Sequence, residues 1–251
     1  MSFPFYIEIG SSKILLHTIT EPLGMFIGFR YFLFLRKKQG DIVESISRIW
    51  VLIGAIFGAL LGSRLVGGFE NPQALFEAEN PLLYIYQNKT VLGGFLGGLF
   101  GVEAIKKVVG EKQNTGDIFV YPILLALIIG RIGCFSMGIH EETYGLPTTF
   151  FTGMYLGDTF LRHPVTLYEI VFLIGLWSFL FLTEKKYVLT VGSRFKLFMI
   201  AYMVFRFLLD FIKPHYTFSI GLSTIQIASI LGLLYYFNYL IKPKKFILQK
   251  K

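Results

Sequence analysis

The chain has 251 residues, 54% of them hydrophobic and only 16% charged, with 27 Phe and 14 Tyr. That composition excludes an ordinary soluble globular domain and points to a protein of the bilayer. A net charge of +8 does not imply a nucleic-acid partner, because the basic residues sit in short tufts between apolar runs instead of forming one basic face on a polar fold.

A helix needs about 20 mostly apolar residues to cross the hydrocarbon core. Seven stretches meet that need in chain order, at roughly 16–35, 49–69, 90–108, 117–138, 163–183, 195–213 and 219–241. The predicted fold is all-α, a single polytopic transmembrane domain over residues 1–251, with no internal repeat, linker or second domain. The N-terminal segment MSFPFYIEIGSSKILLHTIT lacks a basic stretch followed by a compact apolar core, so no cleaved signal peptide is expected and the first helix would act as the insertion signal. Glycine is dense in GAIFGALLGSRLVGG (54–68) and GGFLGGLFG (93–101), a pattern that lets helix backbones approach closely.

Lys and Arg in the connections set the expected orientation. Arg36, Lys37, Lys38 and Arg48 follow the first span, Lys106, Lys107 and Lys112 the third, Lys185, Lys186, Arg194 and Lys196 the fifth, and five lysines the seventh. The opposite side has only Lys13, Lys89, Arg162 and Lys213. This sixteen-to-four split predicts an N-terminus outside and a C-terminus, IKPKKFILQKK, in the cytoplasm beside anionic lipid. The long connections, 70–89 and 139–162, then face outward, and the second, rich in Gly, Thr and aromatics, suits a loop or short amphipathic piece lying in the interface.

Four arginines fall within spans: Arg30, Arg64, Arg131 and Arg206. Near a bilayer centre each costs about 2.5–3.5 kcal/mol unless paired or wetted. Arg30 and Arg64 lie towards helix ends, where long basic side chains snorkel. Arg131 and Arg206 are flanked by apolar residues in LLALIIGRIGCF and MIAYMVFRFLLDF. Guanidinium offers a planar fork of donors that stays charged when desolvated, which suits a phosphodiester. Asp210, one helical turn after Arg206, is an expected intrahelical partner for it, and pairing is compatible with phosphate binding.

A further constellation is HPVTLYE, with His163, Tyr168 and Glu169, in which Pro164 fits the first turn of a helix. His163 could move protons at neutral pH or be structural, and Glu169 could serve as an interhelical hydrogen-bond acceptor. His140 with Glu141 and Glu142 in the outer connection gives a second possible base. The single cysteine, Cys134, allows no intrachain disulfide, and no metal motif is matched, so neither metal nor cofactor is expected.

These residues carry a resemblance. GRIGCFSMG (130–138), HPVTLYE (163–169), GSRL (62–65), RFLLDFIKP (206–214) and TVLGGFLGG (90–98) are similar, in order and spacing, to motifs of the prolipoprotein diacylglyceryl transferases, over about 20–235. The resemblance implies a multi-pass enzyme of the bacterial cytoplasmic membrane that passes the diacylglyceryl group of phosphatidylglycerol to a lipobox cysteine thiol of a lipoprotein precursor. It also implies a cationic clamp of Arg131 and Arg206 and a base near the thiol, for which the residues at hand are His163, His140 or Glu142. Arg64, Gly93, Gly94, Gly133, Tyr144, Tyr168, Glu169 and Asp210 are then expected around the substrates.

The departures from the family pattern are specific. Leu92 stands where the family has His, Cys134 where it has Asn, and Glu21 near the position of a first-helix Tyr, while its GELYG stretch is lengthened here to GIHEETYG (138–145). A kept phosphate clamp beside an altered acceptor side leaves two other readings open. One is a paralogous transferase with the same lipid donor and a different envelope acceptor, and the other is a non-enzymatic phospholipid-binding or transport protein.

Overall fold

The computed structural model describes residues 3–10, 12–41 and 43–250. A short antiparallel hairpin, β1 (Tyr6–Ile9) with β2 (Ser12–Leu15), leads into α1 (Leu16–Gln39). Helix α1 ends in Arg36, Lys37 and Lys38, cations that complement the negative helix end, and Gly40 then turns the chain at φ 76°. Helix α2 (Ser45–Gly68) follows. Two Asn-Pro dipeptides in the connection after it each start a short helix, α3 (Pro72–Glu77) and α4 (Pro81–Gln87), in which the Asn side chain caps and Pro fills the first position. The remaining long helices are α5 (Val91–Val109), α6 (Val120–Met137), α7 (Val165–Lys186), α8 (Ser193–Asp210) and α9 (Thr224–Tyr235), with α10 (Phe237–Ile241) after a break at Tyr236.

Each expected apolar stretch is thus helical, the last in two pieces. Pro164 precedes the first turn of α7 instead of occupying it, and Ser223 and Gln226 form a capping box that starts α9 later than hydropathy alone implied. Among the described residues, three helical runs are long and apolar enough to cross a membrane by length and composition: Ser45–Gly68, Asp117–His140 and Val165–Lys186. The others are shorter or carry more charge. The outward faces of α2, with Ile53, Ile56, Phe57 and Leu60, are exposed apolar surface of the kind lipid covers.

The closest helix pair is α2 with α5, and its cause is glycine. Gly54, Gly58 and Gly62 meet Gly101, Gly97 and Gly93, and a Cβ on Gly97 would come within 2.2 Å of the Gly58 carbonyl oxygen. This is small-residue packing at a four-residue repeat. The apolar core lies between α5, α6, α7 and α8, around Leu92, Leu124, Leu173, Phe198, Tyr202 and Met203.

Segment 139–162 is more ordered than a plain connector. It opens on a 3-10 turn at Gly138–His140 and contains a hairpin of β3 (Met154–Tyr155) and β4 (Leu161–Arg162), with Pro147 bridged to Arg162. At the chain's far end, β6 (Ile247–Lys250) pairs with β5 (Tyr187–Leu189) after α7. Arg48, expected in a connection, is 1% exposed. Its Nε donates to Asp41 Oδ2 at 2.8 Å, one Nη to Oδ1 at 2.5 Å and the other to the Thr115 carbonyl at 2.9 Å. Burial raises the Asp41 carboxyl, but Arg48 and the Val43 amide outweigh it and hold the group below the usual carboxylate range.

Candidate active site

Three helices bring one buried charge cluster together. Arg131 lies on α6, Glu169 near the start of α7, and Tyr202 and Arg206, one turn apart and so on one face, on α8. Glu169 Oε2 is 2.9 Å from Arg131 Nε and accepts a hydrogen bond from Arg206 Nη1 at 3.4 Å, while the Tyr202 hydroxyl donates to Oε1 at 2.8 Å. Exposures are 8% for Arg131, 6% for Arg206 and 2% for Glu169. One carboxylate therefore answers two guanidinium ions, and the cluster carries a net single positive charge in a place where unpaired charge is costly. The Nε atoms of both arginines are buried without an aligned hydrogen-bond partner, the Arg131–Glu169 contact being an ion pair of poor hydrogen-bond geometry. Free donors and a surplus positive charge fit an anion.

A second polar group continues from the first. Arg131 Nη1 donates to Cys134 Sγ at 3.5 Å, and Cys134 lies 3.9 Å from Glu141 Oε1. Glu141 Oε2 is 3.6 Å from His17 Nδ1, His17 Nε2 is 3.4 Å from Glu21 Oε2, and Lys89 Nζ reaches Glu21 Oε1 at 2.5 Å. Gly133 makes this meeting of α1 and α6 possible, since a Cβ there would stand 2.0 Å from Thr20 Oγ1 and 3.2 Å from His17 Nδ1.

Both groups line one cavity of about 1180 Å³, which also takes in Arg64, Glu70, Glu142 and Lys213 and runs along Ala55, Ala59, Gly94 and Gly98 to Lys196 and Tyr239. Pockets for drug-sized ligands hold about 300–1,000 Å³, so this one has room for a headgroup and apolar chain. Glu70 stands just beyond α2 at its wall, and burial pushes its carboxyl above the usual range despite Lys213 and Arg206 nearby.

The expected site residues divide clearly. Arg131, Arg206, Glu169, Arg64, Gly94 and Glu142 line the cavity, with the Arg64 guanidinium 4.9 Å above the Tyr86 ring. Gly93 instead serves the α2–α5 contact, where a Cβ would meet the Gly62 carbonyl oxygen at 2.4 Å. His140 is exposed and off the cavity wall. His163 Nδ1 is 3.1 Å from the Tyr168 hydroxyl, which also bonds to Thr152, and Tyr144 packs under the Arg162 guanidinium at 5.1 Å, and none of these five lines the cavity. Asp210 corrects one expectation. It is bonded to the Ser223 hydroxyl and lies 3.8 Å from His215 Nδ1, and the carboxylate of Arg206 is Glu169 from the neighbouring helix. Asp210 sits at the end of α8, where the α9 cap comes within reach and claims it.

Residues 4–241 match the sequence profile of a family described as prolipoprotein diacylglyceryl transferase. A relative from Campylobacter hominis named phosphatidylglycerol–prolipoprotein diacylglyceryl transferase is 32% identical over 233 residues, covering 83% of this chain and 77% of its own. One of the same name from Dehalococcoides mccartyi is 27% identical over 246 residues, covering 91% and 88%, and a second transferase of Streptomyces coelicolor is 29% identical over 211 residues, covering 76% and 63%. The chain belongs to the prolipoprotein diacylglyceryl transferase family.

The three positions read from the motifs as departures from the family pattern fall in different places. Leu92, in the place of the family's His, is fully buried in the apolar core and does not line the cavity. Cys134 and Glu21, the other two altered positions, both line it and both belong to the His17–Glu141 group. Sequence reading did not single out His17 or Lys89. The available signal was the pair His17 and Glu21, four residues apart and hence on one helix face.

Proposed function

We propose that this transferase moves the diacylglyceryl group of phosphatidylglycerol to the cysteine thiol of a prolipoprotein. The observation that carries the reading is the Arg131–Glu169–Arg206 cluster, one negative charge short at the wall of a lipid-sized cavity. A phosphodiester monoanion supplies that charge and takes up the free guanidinium donors. The deprotonated acceptor sulfur attacks the glyceryl carbon bearing the phosphate ester, a thioether bond forms, and the C–O bond breaks with its electron pair leaving on glycerol phosphate. Arg131 and Arg206 stabilise the negative charge that grows on the phosphate oxygens. Of the acids and bases expected to take the thiol proton, Glu142 lines the cavity and His140 and His163 do not, which favours Glu142.

In this reading the helices form seven spans of the bacterial cytoplasmic membrane, N-terminus outside and C-terminus in the cytoplasm. The distribution of Lys and Arg supports it, as does the location of the charge cluster and both long connections towards one end. The test is transfer of labelled diacylglycerol from phosphatidylglycerol to a lipobox peptide by purified full-length protein in lipid nanodiscs. A labelled thioether product is expected, absent with Arg131→Ala. Phosphatidylglycerol binding with no product would instead support a lipid-binding protein or another acceptor.

A further inference from the structure

The group next to the arginine clamp has donor chemistry of its own. His17 Nδ1, Cys134 Sγ and a Glu141 carboxylate oxygen all lie within 4.8 Å of one another, contributed by α1, by α6 and by the segment after it. His17 Nδ1 and Glu141 Oε2 face each other at 3.6 Å, and both atoms are buried with no hydrogen-bond partner. Buried polar atoms are nearly always satisfied, so two orphans aimed at one point mark the place of something that satisfies both.

We propose that His17, Cys134 and Glu141 bind one divalent, thiophilic metal ion of the zinc type, with its fourth position open to the cavity. Zinc bonds of about 2.0–2.3 Å in a tetrahedron put neighbouring donors about 3.4–3.6 Å apart. Two observed separations, 3.6 Å from His17 Nδ1 to Glu141 Oε2 and 3.9 Å from Cys134 Sγ to Glu141 Oε1, lie within a few tenths of an ångström of that range, and the three donors all fall within 4.8 Å of one another. A mixed nitrogen, sulfur and oxygen set favours zinc over magnesium or calcium, which take oxygen.

The surroundings are those of a metal site. Glu21 faces His17 Nε2 at 3.4 Å and is itself held by Lys89, so the imidazole proton is kept on Nε2 and the Nδ1 lone pair is free. A carboxylate behind a ligating histidine is the usual outer support of such a ligand. Arg131 Nη1 donates to Cys134 Sγ at 3.5 Å, which holds the sulfur beside His17 and Glu141. A dication, one thiolate and one carboxylate sum to zero, so the loaded site adds no net charge beside the arginine clamp.

The ion's use rests on the transferase reading. The acceptor thiol occupies the open position, loses its proton to Glu142 on binding, and is delivered as thiolate beside the phosphate clamp.

The experiment uses the full chain in detergent, loaded with Zn²⁺ in the presence of excess Mg²⁺ and, separately, with Co²⁺. One tightly held zinc per chain is expected, and the cobalt form should show a thiolate-to-cobalt charge-transfer band that disappears in Cys134→Ser. Glu21→Gln, which leaves all three ligands in place, should weaken zinc by about 10- to 100-fold. Adding a lipobox peptide should strengthen the sulfur-to-cobalt band. Substoichiometric metal, or a cobalt spectrum that is the same in wild type and Cys134→Ser, overturns the site. A band indifferent to the peptide thiol overturns the open position. Zinc binding without diacylglyceryl transfer leaves the site standing and removes the transferase reading, whereas undiminished transfer by protein that holds no metal does the reverse.

Discussion

The two halves of the candidate site are built on different terms. The proposed phosphate half is buried: its charged side chains come from the last turns of α6 and α8 and the first turns of α7, and a single carboxylate lies between both arginines. The acceptor half is more open, with His17 20% and Glu141 27% exposed, and it depends on a loop and on the crossing of α1 over Gly133. A lipid anion that is always the same can be met by a fixed clamp. An acceptor that arrives from outside and must give up a proton needs groups nearer water.

Separate variants should pull the halves apart. Arg206→Ala removes a donor to the developing phosphate charge and should lower transfer by about 100- to 1,000-fold, with weaker phosphatidylglycerol binding. Cys134→Ser should also lower transfer, but with phosphatidylglycerol binding intact. Labelled-lipid transfer and binding assays on both variants decide the matter, and equal loss of lipid binding would erase the division drawn here.

A smaller effect is expected away from both halves. Gly97→Leu forces α2 and α5 apart where the backbones touch and should destabilise the fold by about 1–3 kcal/mol, read as a lower melting temperature in nanodiscs. An unchanged melting temperature would mean the helix pair is not as close as the glycines indicate.

The smallest effect belongs to Asp41, whose carboxyl is held below its ordinary value. A depressed carboxylate contributes stability above the unfolded-state pKa and loses it as pH falls through the folded-state value. The contribution, about 1 kcal/mol after solvent screening, should therefore fade only in acid below the usual carboxylate range. Melting temperatures recorded against pH should drop there for the wild type and stay flatter for Asp41→Asn.

Much of this was legible in the sequence because membrane helices announce themselves by hydropathy, and because an arginine inside one is costly enough to require a purpose. Arg131 and Arg206 were found on that ground. Their partner was not. Spacing on one helix pointed to Asp210, but Glu169 crosses from α7 and Asp210 is taken by the cap of α9. Likewise, nothing in the chain order brings His17 to Cys134. That contact exists because Gly133 lets α1 sit against α6, a fact of helix crossing that local patterns do not contain. The importance attached to the altered position at Leu92 also changes once the side chain is seen in the core and not in the cavity.

The single carboxylate between two arginines gives the proposed reaction a direction in time. With phosphatidylglycerol bound, the cluster is neutral. Once the C–O bond has broken, the phosphate bears a second negative charge, and the same cluster holds one more electron's worth of charge than it can neutralise. The surplus positive charge that draws in the reactant therefore holds the more highly charged by-product harder still, so the release of glycerol phosphate to water, and not the capture of lipid, is the step this cluster slows.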